Sequence, residues 1–107
     1  MMTRQRLPAG ILASLSGVEA RHVWEPDAKP SDAALRAARA AINASSVDRR
    51  ELGVIVNTSV CRDFVEPSTA SVVHSALQLG PLCRNFDVGN ACLGFLDGRD
   101  IAASWIA

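Results

Sequence analysis

The sequence predicts an α/β fold built on a parallel or mixed sheet covered by helices, and three observations carry that expectation. Val54-Ile55-Val56 is a continuous apolar, β-branched run, the pattern of a strand buried on both faces. From residue 31 onward, helix-like and strand-like segments alternate in the order α-β-α-β-α. The first of those helices carries a stripe of small apolar residues suited to close packing on a sheet.

The elements follow in order. Residues 1–30 are irregular, with prolines at Pro8, Pro26 and Pro30. A short helix is expected around Pro8 to Ser16, ended by Gly17, and "VEARHVW" reads as a strand or an extended arm. "SDAALRAARAAINASS" is a helix with Ser31 or Asp32 as N-cap and many strong helix formers. Ala34, Leu35, Ala38, Ala41 and Ile42 form its apolar stripe, with Arg36, Arg39 and Asn43 facing away. The strand in "LGVIVNTS" comes next. A helix over "PSTASVVHSALQLG" has Pro67 near its first turn, Ser68 or Thr69 at its start, and Gly80-Pro81 at its end. "RNFDV" is a short second strand, and Cys92 opens the last helix. The central β-α-β unit is expected to be a right-handed crossover.

Composition limits the functions available. The chain has 107 residues, is 49% hydrophobic and is formally neutral, with a sequence pI near 6.7. Neutrality argues against a nucleic-acid partner, which selects for a basic surface. No apolar run reaches the roughly 18 residues that a membrane-spanning helix needs. "MMTRQRLPAGILASLSG" lacks the continuous apolar region of a signal peptide. Cys61, Cys83 and Cys92 are odd in number and form no C-x-x-C pair, which indicates neither a disulfide framework nor a metal site. A reducing cytoplasm fits that cysteine usage best. "IAASWIA" closes the sequence without a helix stop signal. With Trp105 and Ile106 apolar, this suggests the first part of a larger domain.

The chemistry concentrates in "NFDVGNACLGFLDG", Asn85 to Gly98. Helix N-termini present unpaired N–H groups and a partial positive charge, which lower a thiol's pKa and can hold an oxyanion. Gly89 and Ala91 keep the turn small enough for a substrate to approach, the logic of the nucleophile elbow with sulfur in place of oxygen. From position alone a second reading stands beside this one: free cysteines are commonly buried and inert. Glu66, before Pro67 and a helix start, reads in the same two ways. It is a carboxylate favoured by the helix dipole by about 0.3–1 kcal/mol, or a general base, which needs desolvation to raise its pKa.

The stretches "GVIVNTSVCRDFVEPSTASVVHSALQLG" and "NFDVGNACLGF" resemble the thiolase-fold condensing enzymes of the ketoacyl synthase III branch. The helix start Pro67-Ser68-Thr69-Ala70 and the run from Phe86 to Phe95 carry the likeness. "NTSVCRDFVEPSTAS" is most similar to the head-to-head acyl-CoA condensing enzymes of bacterial long-chain olefin biosynthesis, and "SGVEARHVW" is similar to a stretch near the start of such enzymes.

The resemblance implies a thiolase-like layered α-β-α-β-α architecture, with residues 1–107 a partial N-terminal domain truncated after the nucleophile helix. It implies Cys92 as the acylated nucleophile and Glu66 as a base reaching into the partner's site in a homodimer. It implies an acyl-CoA or acyl-carrier-protein thioester as substrate, a β-keto product and no cofactor. The family's downstream histidine and asparagine lie beyond the last residue given, and the strand that opens its fold is expected to be missing or degenerate in residues 1–14. Two alternatives stay open: a ketoacyl-carrier-protein synthase III of fatty-acid or polyketide initiation, and an inactive fragment or dimerisation module.

The other polar candidates have plainer readings. His74 is expected to be structural and His22 solvated, with Cys61 and Cys83 ordinary buried or half-buried thiols. Asp87 is expected to anchor a turn or cap. Arg62 and Asp63 either pair with each other or border the acyl channel. Asp97, Arg99 and Asp100 form a polar helix face, and Trp105 lies in the core.

Overall fold

The structure, a computed structural model, describes Pro8 and residues 10–106. The expectations for residues 1–7 and Ala9 lie outside the described residues. Helix α1 spans Ile11–Ser16 and is closed by Gly17 at φ 69°, whose N–H bonds the Ala13 carbonyl. Left-handed backbone there suits a residue without a Cβ. "VEARHVW" forms no strand and runs as an exposed arm.

Helix α2 spans Pro30–Ala44. Its N-cap is Lys29, not Ser31 or Asp32, because Pro30 with its fixed φ and missing donor takes the first helical position. Asp32 instead accepts the Lys29 N–H at 3.0 Å. The Ser31 N–H and hydroxyl both donate to Asp63, at 2.9 and 2.5 Å, so a carboxylate from a distant loop closes this helix end. The expected stripe holds for Ala34, Leu35, Ala38 and Ile42, whereas Ala41 is exposed.

A 3-10 turn at Arg49–Glu51 follows, capped by Asp48. Hydrogen bonds from the Arg50 side chain, and then from its backbone N–H, hold the Asp48 carboxyl at about 2. A depressed carboxylate contributes stability fully above its ordinary value of 3.8 and loses that contribution as pH falls toward about 2. A carboxyl-carbon NMR titration is expected to place the Asp48 midpoint near 2, and to return it toward 3.8 in Arg50→Ala.

Strand β1 (Val54–Asn57) pairs in parallel with β2 (Arg84–Asp87), with Val54 opposite Arg84 and Asn57 opposite Asp87. Helix α3 (Thr69–Leu77) is the crossover between them. Ser68 caps α3, its hydroxyl accepting the Ser71 N–H at 3.1 Å. The helix ends at Gln78 (φ 52°), not at Gly80-Pro81, with the Leu79 N–H bonded to the His74 carbonyl. Helix α4 spans Gly94–Ile106.

Strand alternation sorts the layers. Ile55 faces α2 and α3, and joins a core of Val73, Leu77, Leu79 and Cys83. Val56 and Phe86 face α4: Phe86 meets Trp105 edge-on at 5.4 Å between ring centres. Helices thus cover both faces of the sheet, as the β-branched run predicts, but β1 itself is half-buried along its length. Trp105 is 46% exposed rather than core, with the Arg84 guanidinium 4.8 Å above its ring.

Candidate functional site

In parallel α/β sheets, binding sites form beyond the carboxyl ends of the strands. Here two loops meet at that end: residues 58–68 after β1, carrying Glu66, and residues 88–93 after β2, carrying Cys92.

Cys92 sits in a 3-10 turn, Ala91–Leu93, that precedes α4. It therefore does not open the α-helix itself; Gly94 does. The reason lies in the turn. Ala91 holds φ 41°, and the Leu93 N–H bonds the Asn90 carbonyl at 2.9 Å, so the chain tightens before it widens into the helix. A non-glycine residue in left-handed backbone costs on the order of 1–2 kcal/mol, and the turn is braced against that cost. The Asn90 amide donates to the Asp97 carboxylate on α4 at 2.6 Å, which gives Asp97 its pairing role.

The Cys92 thiol is exposed. The other two cysteines separate. Cys61 is exposed on the first loop, against expectation, because its apolar neighbours Val60, Phe64 and Val65 also point outward. Cys83 is buried, and burial pushes its thiol up from the ordinary value, which keeps it protonated and unreactive.

Glu66 is exposed and not desolvated, and among the described residues no hydrogen bond joins it to Cys92. The two loops are nevertheless knitted together. Asp87, the last residue of β2, accepts the Thr69 and Ala70 N–H groups at 3.0 and 2.8 Å, three and four residues beyond Glu66. Arg62 does not pair with Asp63; its Nε lies 3.9 Å from Asp87, and a Cβ on Gly89 would come within 3.3 Å of its Nη2. The Val88 N–H bonds the Asn57 carbonyl at 2.9 Å. Asp87 is thus an anchor, as its strand-end position suggests, but the partner helix and the part played by Arg62 are invisible locally. His74 is structural, its Nε2 3.3 Å from the Gly80 carbonyl, and His22 lies in the exposed arm.

A cavity of about 630 Å3 opens at the opposite end of the strands, between Glu51–Val54, Arg84, Trp105 and Ile106. None of its lining residues is a cysteine, and Cys92 lies at the other end of the strands. Among the described residues no group of three or more His, Cys, Asp or Glu side chains gathers to hold a metal, and no helix is long and apolar enough to cross a membrane.

No family model matches the chain. It is 44% identical over 100 residues to an acyl-CoA:acyl-CoA alkyltransferase of Xanthomonas campestris, covering 94% of this chain and 30% of that protein. A protein of the same name from Shewanella oneidensis is 44% identical over 98 residues, covering 91% of this chain and 28% of the relative. The chain therefore spans about 30% of the length of these relatives.

The solved structure of Xanthomonas campestris OleA with cerulenin bound superposes with TM-score 0.87 at 43% identity, over 96% of this chain and 30% of that one. That match shows the thiolase-like α/β architecture expected from the motifs, over part of its extent. Other structures of the same protein carry replacements of a glutamate and of a cysteine, separated by the same number of positions as Glu66 and Cys92. A histidine replaced in a further structure lies far beyond that cysteine, past the matched stretch.

Proposed function

We propose that this chain is the nucleophile-bearing portion of an enzyme that condenses two fatty acyl-CoA thioesters head to head. The observation that carries the reading is the exposed thiol of Cys92 on a tight, braced turn at the carboxyl end of a parallel sheet. The matched spacing of glutamate and cysteine in the solved relatives supports Glu66 as its companion.

The steps balance without a cofactor. The Cys92 thiolate attacks the thioester carbonyl, the bond to the CoA sulfur breaks, and CoA leaves as its thiol after taking a proton. A second acyl-CoA then loses an α-proton to a carboxylate, Glu66 from a second copy of the chain. Its carbanion attacks the acyl group, and the Cys92 thiolate is released with a β-keto thioester as product. The exposure of Glu66 in a single chain fits a carboxylate whose desolvation comes from another copy.

The test is direct. The chain is incubated with a long-chain acyl-CoA and digested, and the peptides are weighed. One acyl group on Cys92, with release of one CoA, is the expected result. Acylation shared equally with the exposed Cys61, or none at all, overturns the reading.

A further inference from the structure

We infer that Asp87 is a positioning residue that locks the loop carrying Glu66 to the turn carrying Cys92. What is positioned rests on the acyl-thioester reading above; the lock itself rests on geometry. Period-2 alternation in β2 sends Phe86 toward α4 and Asp87 toward α3. The Asp87 side chain is 6% exposed, and its two oxygens separately accept the Thr69 and Ala70 N–H groups at 3.0 and 2.8 Å. Hydrogen bonds to a charged acceptor are the strong kind, and here they hold donors that a helix start leaves free. The same carboxylate lies 3.9 Å from Arg62, which itself rests against Gly89 in the nucleophile turn. One buried group therefore touches the helix start just after Glu66, the middle of the Glu66 loop, and the strand end that runs into Cys92.

Asparagine has the same shape but one acceptor oxygen, and its amide NH2 would face a backbone N–H. A group that merely capped α3 would, when changed, loosen only the first turn of α3. A lock would also loosen the turn at 88–93, which makes no hydrogen bond to α3.

Hydrogen–deuterium exchange of the whole chain separates these outcomes. Asp87→Asn is expected to speed exchange about tenfold in both 59–70 and 88–94 while 38–44, the part of α2 remote from the Asp63 contact with Ser31, is unchanged. Arg62→Gln is expected to speed 88–94 and leave Thr69 and Ala70 protected. Acyl transfer from acyl-CoA to Cys92 is expected to fall about tenfold in both variants, with alkylation by iodoacetamide, a small reagent needing no alignment, unchanged. Exchange confined to the first turn of α3 in Asp87→Asn overturns the lock. Should that variant lose its fold, an unchanged 88–94 in Arg62→Gln overturns it instead. If the exchange pattern is as expected and Cys92 takes no acyl group even in the unaltered chain, the lock stands and the acyl-thioester reading fails.

Discussion

Replacing Cys92 with alanine is expected to cut acyl transfer from acyl-CoA to this chain by at least ~10³-fold, because the covalent route loses its attacking atom. Cys61 makes the experiment self-controlled. Both thiols are exposed, but only Cys92 stands on a braced turn at the carboxyl end of the sheet. Cys61→Ala is therefore expected to leave acylation unchanged, and Cys83→Ala likewise, since burial already keeps that thiol protonated. The measurement is acyl mass per chain against time for the three variants. Loss of acylation in Cys61→Ala with retention in Cys92→Ala would reverse the assignment.

The second large effect concerns how α4 reaches the sheet. A Cβ built at Gly98 would fall 2.6 Å from the Thr58 methyl and 3.3 Å from Val56 Cγ1. At Gly94 it would fall 3.0 Å from the Thr58 carbonyl oxygen. Overpacking of this kind costs about 1–3 kcal/mol, and alanine regains at most about 1 kcal/mol of helix propensity over glycine. Gly98→Ala is expected to lower stability by about 1–2 kcal/mol in urea denaturation.

The two glycines then part company. Thr58→Ser removes the methyl that Gly98→Ala strikes, so the double variant is expected to recover most of the loss. The same partner does not rescue Gly94→Ala, because the obstacle there is backbone. Equal rescue at both positions would refute this account of the packing. Because α4 carries the turn of Cys92 at its head, both changes also bear on where the sulfur sits.

Several features were legible because they are local. Val54-Ile55-Val56 announces a strand, and the small apolar stripe of α2 announces a face that lies on other elements. The motif around Cys92 marks its joint, with the helix opening two residues later than expected, at Gly94. The misses are instructive. Ser31 has the chemistry of an N-cap, yet Pro30 claims the first helical position, and Ser31 becomes a donor to Asp63. Gly80-Pro81 is the stronger stop signal, yet Gln78 takes the left-handed conformation first. Trp105 is apolar enough for a core, but only one of its faces finds Phe86.

The amino acids alone determined the order of the main elements and a strand pair covered by helices, since propensity and periodicity act over a few neighbouring residues. Cys92 and Glu66 were singled out as candidates by short motifs together with the family resemblance those motifs carry. The tertiary structure decided which carboxylate closes which helix: Asp63 reaches Ser31 across 32 positions, and Asp87 reaches Ala70 across 17. It also decided that Gly98 and Gly94 must yield to Thr58. Such pairings depend on how layers stack and which way each strand residue points. That geometry exists only once the chain has folded back on itself.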